Sequence, residues 1–286
     1  MNASAMPQSV VKTPQALSES DIKQRIACRF GEAAAMYDDH ALVQKEIADH
    51  ALSLIANSRN GQAKFAYAID IGCGTGAFTG RLLEFAHRAT GLDLAQGMIH
   101  FAQKHYAQKQ LSWTVSDAEA LPLAEQSIDL IYSSMALQWL SQAEKVAKEC
   151  FRIISNTGQG TLAVVVDGSL NELNYCWQSL AQSSPVNRFM PVKSWFNAFK
   201  NAGFEVQVQQ KRFTSWHQNI FAVLHSIKDI GAGVVLDAGQ QTPLNKTKLK
   251  TLNSVYKDKF GQENKLPLSW QIAFINFHKP QPENID

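Results

Sequence analysis

Cysteine is scarce in this chain. It has 4 cysteines, Cys28, Cys73, Cys150 and Cys176, and no two stand in a Cys-x-x-Cys pair. That spacing points away from a zinc site and from a redox dithiol, and buried free thiols are the expectation. Long apolar runs are missing as well: none approaches the roughly 18 residues of a membrane span. Residues 1–20 are polar and small, with Pro7 and Pro14, and have no apolar centre of a secretion signal. A disordered tail and a cytoplasmic location are therefore expected. Charge of one sign is also lacking. The formal net charge is +2, a balance with no basic footprint for nucleic acid. Neither a nucleic acid, a membrane nor a metal is an expected partner. No internal repeat or low-complexity tract interrupts the chain.

What is present is ordinary globular composition. The 286 residues are 45% hydrophobic and 18% charged, enough for one large domain spanning 21–286. Apolar residues recur at helical spacing through Ile26, Phe30, Ala34, Tyr37 and Ala41, then Ile47 and Leu54, so 21–58 reads as a helical cover. Asn60-Gly61 is a break. Strand-like and helical runs then alternate. Strands are expected at Phe65–Ile71, Ala89–Leu94, Leu111–Val115, Ile128–Ser133 and Thr161–Val166. Helices are expected at Phe78–Arg88, 96–107 and 141–154. Such alternation predicts an α/β fold, a doubly wound and mostly parallel sheet with helices on both faces. After Asp167 the pattern changes. Residues 170–183 and 192–202 read as helices, Phe204–Phe213 and Trp270–Phe277 as strands. Residues 218–262 form a helical insertion between those strands, broken near Gly231–Gly233 and at Pro243.

Chemistry enters at the loop Gly72-Cys73-Gly74-Thr75-Gly76, which follows the first strand. A glycine loop lets a ligand approach backbone N–H groups. Alone it is ambiguous. Gly72, Gly74 and Ala77 also fill a dinucleotide fingerprint, with Asp93 as its ribose acid. That reading, a nicotinamide-dependent oxidoreductase, leaves two acids idle. Asp70 lies two residues before Gly72, where a carboxylate suits an ammonium group better than a pyrophosphate. Asp117-Ala118 follows the third strand, where an acid accepts from an adenine amino group and a backbone N–H serves the ring. Asp93, ending the second strand, has two oxygens for the two ribose hydroxyls. Three acids at three successive strand ends sit where open α/β sheets bind ligands. They fit S-adenosylmethionine. Leu94 and Met98 are candidates to pack on the adenosine, although core packing explains them equally. Ser133 ends the fourth strand and joins the cofactor candidates. The simpler alternatives are helix caps at Asp70 and Asp93, and a turn at Asp117.

Asp70-Ile-Gly-Cys-Gly-Thr-Gly76, with Asp93 and Asp117, resembles the class I S-adenosylmethionine-dependent methyltransferases over residues 65–167, the cofactor-binding core. The resemblance implies a Rossmann-like, seven-stranded sheet in which Trp270–Phe277 is an inserted antiparallel strand beside Phe204–Phe213. A narrower resemblance runs through most of the chain. Arg29-Phe-Gly-Glu-Ala-Ala-Ala-Met-Tyr37, His40-Ala41, Gln44, Ser134-Met-Ala-Leu-Gln-Trp139, Gly168-Ser-Leu-Asn-Glu-Leu173, Asn187-Arg-Phe-Met-Pro191, Ser226-Ile-Lys-Asp-Ile-Gly-Ala232 and Leu266-Pro-Leu-Ser-Trp270 are similar to the malonyl-[acyl-carrier protein] O-methyltransferases of biotin biosynthesis.

The resemblance implies methyl transfer to the free carboxylate of a malonyl thioester; an S-adenosylmethionine-dependent methyltransferase for another small acid or a quinone-like molecule is the alternative. The carrier would be an acyl carrier protein, with malonyl-coenzyme A as the alternative. A carboxylate is already ionised near neutrality, so no general base is required. Arg152 and Arg188 are candidates to hold it, since an arginine fork matches a carboxylate; for Arg152 a surface or structural ion pair is the alternative. Tyr37 is a candidate to close over the methionine end, and Gln44 to bind the methionine carboxylate, against core packing and a solvated helix face respectively. Ser134 and Trp139, at the active-site edge, are substrate-binding candidates, Trp139 to pack on the acyl arm, against plain core packing. His40 reads as structural rather than as a proton shuttle. Lys246, Lys248, Lys250, Lys257 and Lys259, against Asp258 alone, suggest a face for an acidic partner.

Overall fold

A computed structural model describes residues 18–59, 61–180, 186–228 and 245–280, with the side chains of Asp39 and His40 excluded. The expectations for 1–17, for the breaks near Gly231–Gly233 and at Pro243, and for the His40 side chain lie outside the described residues.

Seven strands form one sheet in the order β3-β2-β1-β4-β5-β7-β6. They are β1 (Phe65–Ile71), β2 (Ala86–Asp93), β3 (Leu111–Val115), β4 (Ile128–Ser134), β5 (Ile154–Val165), β6 (Glu205–His217) and β7 (Leu266–His278). β1 to β5 are parallel, and β7 runs antiparallel between β5 and β6. The order reverses at β1 and β4. This is the switch point outside whose strand ends such sheets open a crevice. β1 and β4 are apolar through their buried middles, Ala68-Ile69 and Leu130-Ile131-Tyr132, because both faces are covered. Ile69 and Ile131 are fully buried there, each worth about 1.5–3 kcal/mol of hydrophobic transfer.

The helices are α1 (Glu19–Ala33), α2 (Tyr37–His40), α3 (Leu42–Arg59), α4 (Gln96–His105), α5 (Ala143–Ile153), α6 (Asn171–Ser179), α7 (Val192–Asn201), α8 (Ile220–Lys228) and α9 (Lys246–Phe260). One apolar layer puts α3, α6, α8 and α9 against Leu130, Tyr132, Trp270 and Phe274. The other puts α5 and α7 against Ile69, Ile131 and Ile275. None of the described helices is long and apolar enough to cross a membrane. α1 begins with a capping box in which Ser18 and Asp21 satisfy each other's backbone amides, a local start signal.

The expected Rossmann-like sheet is therefore present, with its antiparallel strand where expected. The first crossover differs. The helix expected over Phe78–Arg88 is a 3-10 turn, Thr79–Glu84, and β2 already starts at Ala86. Sheet pairing overrides the helical pattern: Ala86 and Arg88 take their places opposite Phe65 and Tyr67. β5 likewise begins at Ile154, before the expected Thr161, because Ile154 pairs with Ile128. Cys73, Cys150 and Cys176 are buried free thiols, but Cys28 is exposed on α1.

Candidate active site

The carboxyl edge of β1, β2, β3 and β4 opens into a cleft of about 810 Å³, continuous with solvent at its mouth. The floor is sheet and loop: Ile71, Gly72, Gly74, Asp93, Leu94, Ser134 and Met135. One wall is Met98, Asp117, Ala118 and Leu121. The cover comes from the N-terminal helices, through Lys23, Ile26, Phe30 and Tyr37, and from Trp139 after β4. A second chamber adjoins it and shares Tyr37, Gly72, Gly74 and Ser134; Asp38, Gln44, Lys45 and Thr75 are among its other lining residues.

Asp93 is the best-held of the acids. Its Oδ2 accepts the Gly74 N–H at 2.8 Å and its Oδ1 accepts the Ala95 N–H at 2.8 Å. Each oxygen keeps capacity for one further donor. Burial pushes the Asp93 carboxyl above its ordinary range, and the two amides oppose that push. The loop's glycines divide the work. Gly72 has φ +73°, and a Cβ there would lie 2.1 Å from that of Ala136. Only glycine lets this backbone form the cleft floor. Gly76 lines neither cavity. It lies against the Trp113 ring, where a Cβ would approach to 2.5 Å, so its role is packing under the loop.

Two further cofactor candidates are also turned away from the cavities. Asp70 is buried, and its Oδ2 accepts the Thr79 hydroxyl at 2.7 Å. It ties β1 to the 3-10 turn and does not line either cavity. Burial raises its pKa to about 7, with the nearby Asp93 adding to the rise and Thr79 opposing it. Ser133 is buried and donates to the Ile71 carbonyl at 2.6 Å, because strand alternation sends its neighbour Ser134 to the cleft instead.

Tyr37, Ser134, Trp139, Leu94, Met98, Asp117, Ala118 and Gln44 do line the cavities. Gln44 is buried, not on a solvated helix face. The Tyr37 hydroxyl is pushed well above its ordinary range by burial and by the charges of Asp93 and Asp38. It keeps its proton at neutral pH and is a hydrogen-bond donor, not a base. Phe30 packs edge-on to Trp139, 5.5 Å between centroids, and 6.5 Å from Tyr37.

The two arginines stand elsewhere. Arg152 is clamped to Glu149, with Nε 2.8 Å from Oε1 and Nη2 2.7 Å from Oε2, and it donates to the carbonyls of Leu121 and Leu123. Its fork is filled by the protein itself, which corrects its reading as a substrate clamp. Arg188 is exposed and lines neither cavity.

Asp38, Lys45, Thr75, Lys23 and Phe30 were missed by sequence reasoning. The Thr75 hydroxyl donates to Asp38 Oδ1 at 2.9 Å, and Lys45 Nζ to the Asp38 carbonyl at 2.5 Å. The helical spacing of Lys23, Ile26 and Phe30 was a visible signal. It showed a stripe, but not that the stripe faced a ligand.

These residues fit S-adenosylmethionine. The apolar wall of Met98, Ala118 and Leu121 suits a base, the double-amide carboxylate of Asp93 suits a ribose diol, and the chamber with Asp38, Gln44 and Lys45 suits an amino-acid zwitterion. A dinucleotide fits worse. The loop runs into a 3-10 turn, so no α-helix N-terminus faces a pyrophosphate, and carboxylates crowd the place it would take.

The comparisons agree. A methyltransferase-domain family model matches residues 69–162. The YcgJ protein of Bacillus subtilis superimposes with a TM-score of 0.57 at 17% identity, over 82% of this chain and 99% of its own, which speaks for the fold. A malonyl-[acyl-carrier protein] O-methyltransferase of Hahella chejuensis is 31% identical over 253 residues, 88% of each chain. The biotin biosynthesis bifunctional protein BioHC of Cellvibrio japonicus is 28% identical over 281 residues, 96% of this chain and 55% of its own; the chain spans about half of that relative. Fold and site together define a class I S-adenosylmethionine-dependent methyltransferase. Within that class, the chain belongs to the malonyl-[acyl-carrier protein] O-methyltransferases.

Proposed function

We propose that the protein transfers a methyl group from S-adenosylmethionine to the free carboxylate of malonyl-acyl carrier protein. The observation that carries this reading is the absence of a general base among the described residues of the cleft. Its ionisable side chains are Lys23, Tyr37, Asp93 and Asp117; Asp38 and Lys45, in the adjoining chamber, are bonded to the Thr75 hydroxyl and to the Asp38 carbonyl respectively and stand where the amino-acid zwitterion belongs. Lys23 is ion-paired, Tyr37 holds its proton, and Asp93 and Asp117 stand where ribose and adenine belong. A hydroxyl, amine or carbon nucleophile would need a base; a carboxylate arrives ionised.

When bound, S-adenosylmethionine supplies an electrophilic methyl group on a sulfonium. The chain's own residues then do three things. Ser134 and Tyr37, shared by both cavities, present hydroxyls that orient the incoming carboxylate toward the methyl. Phe30, Tyr37 and Trp139 exclude water, which matters because a hydrated anion attacks poorly. The acids Asp38 and Asp93, which line the two cavities, give the loop a negative field that favours a cationic donor. The product ester hides a charge, so enzymes with apolar pockets can elongate it as a primer for biotin synthesis. Malonyl-coenzyme A presents the same thioester and is the alternative carrier.

The carrier would dock on α9. Lys246, Lys250, Lys257 and Lys259 are exposed there, and Asp258 is the only acid on the helix. That charge complements an acidic carrier and steers encounter at low salt. Replacing those four lysines with glutamate should raise the Michaelis constant for the carrier substrate; an unchanged value at low salt removes the docking face. The reaction itself is tested by mass spectrometry of malonyl-carrier protein after incubation with enzyme and S-adenosylmethionine. One added methyl group, absent with acetyl-carrier, is expected. No gain, with the cofactor bound, would overturn the substrate.

A further inference from the structure

α1 touches the rest of the protein in two ways. Near its C-terminal end it packs on α4, where Gly31 and Gly97 meet so closely that a Cβ on Gly97 would lie 2.8 Å from the Gly31 backbone. Toward its N-terminal end the interactions are charged. Lys23 Nζ lies 2.7 Å from Asp117 Oδ2 and 2.5 Å from Glu119 Oε2. Lys145, on α5, reaches both Glu119 and α1's own Glu19 at 3.4 Å. Burial opposes the charge on Lys23, but the two carboxylates outweigh it and hold its pKa above the ordinary value.

The place of this cluster matters. Asp117 lines the main cleft, and so does Lys23. Both also line a separate surface groove, with Glu19, Gln24, Leu94 and Lys145. The Lys23–Asp117 pair therefore stands between the cleft and an outer opening. Asp117 is held from a second side as well, since its Oδ1 accepts the Glu119 N–H at 3.0 Å. One oxygen of Glu119 is buried with no partner among the described residues, so that carboxylate depends on Lys23 and Lys145 for compensation.

We infer that Lys23 is a positioning residue that latches α1 over the nucleoside end of the cofactor cleft. It fixes the Asp117 carboxylate for the adenine amino group and closes the outer opening at the same time, so donor binding and α1 closure are one coupled event. On the same helical stripe, Ile26 and Phe30 come down on the cleft with it. The inference rests on the reading that adenine lies at Asp117. The latch acts on the donor and leaves the carboxylate acceptor untouched.

Lys23→Gln tests it. S-adenosylhomocysteine should bind about tenfold more weakly by calorimetry, the effect of removing one charge-assisted hydrogen bond. The Michaelis constant for S-adenosylmethionine should rise in proportion, while kcat at saturation stays within about twofold. In the wild type, S-adenosylhomocysteine should slow amide hydrogen exchange across 19–33; in Lys23→Gln that protection should disappear at saturating ligand. Lys23→Arg should restore both. If Lys23→Gln folds poorly, Glu119→Gln, which keeps Asp117, should give the same loss of protection in weaker form. Wild-type affinity and wild-type protection in Lys23→Gln or, where that variant fails to fold, in Glu119→Gln overturn the latch. Asp117→Asn separates the two ideas. Unchanged binding there removes the adenine placement; weaker binding there, with Lys23→Gln unaffected, removes the latch alone.

Discussion

The cofactor floor and its cover are built by different means. The floor, from β1 to β4, holds its ligand groups on strand ends and a glycine loop. Asp93 is placed by two backbone amides, and the sheet beneath it is buried on both faces. The cover is made of side chains from helices remote in sequence. α1 has one buried residue, Ile26, and apart from its packing on α4 at Gly31 and Gly97 its ties are ion pairs and aromatic edges. Backbone placement gives a rigid, pre-formed half; side-chain placement gives a half whose position responds to charge and occupancy.

The largest expected effect that separates the halves is on stability. Ile131→Ala, in the middle of β4, should cost about 2–5 kcal/mol of unfolding free energy. Phe30→Ala, half-buried in the cover, should cost far less while weakening catalysis. Denaturant titration checks both, and equal losses would erase the distinction. Next comes Asp93→Ala. Without its charged hydrogen bonds to the ribose, S-adenosylhomocysteine should bind more weakly by about 1–3 kcal/mol with the fold intact, and calorimetry showing full binding would remove the ribose assignment.

Asp70 sharpens the comparison through pH. Its folded pKa, about 7, stands above the ordinary 3.8. Between those values the native state holds a proton that the unfolded state has released. Stability should therefore fall as pH rises from about 4 to 7, with a slope of up to about 1.4 kcal/mol per pH unit from this group. Asp70→Asn keeps an acceptor for Thr79 and should flatten that slope. Parallel stability profiles for the two proteins would contradict it. The smallest effect is expected on catalysis in Arg152→Ala. Its guanidinium serves Glu149 and two carbonyls, so unfolding should become about 1–2 kcal/mol easier with kcat/KM unchanged. A drop in kcat/KM at intact folding would return Arg152 to the substrate.

Much of the floor was legible in the sequence because its signals are local. A buried strand is a run of apolar residues, a tight loop demands glycine, and an acid directly after a strand lands at the sheet's edge. Asp93, Asp117, Gly72 and Gly74 follow from that. Where the local pattern competed with sheet pairing it misled: Phe78–Arg88 has a helical look, yet Ala86 and Arg88 belong to β2. Asp70 and Ser133 were placed at the right strand ends but on the wrong side of the backbone, since neither loop geometry nor rotamer is written in spacing. Arg152 had the right chemistry, and Glu149, three residues earlier, had the first claim on it.

By itself, then, the sequence determined the class of fold, the glycine loop and the order of acids along the sheet edge, because periodicity and backbone sterics act within a few residues. Which side chains meet across the cleft was decided only in three dimensions. Lys23 reaches Asp117 across 94 positions of chain, and Asp38 reaches Thr75 across 37. Such pairings depend on how α1 and α2 lie on the finished sheet, and no local rule carries that information.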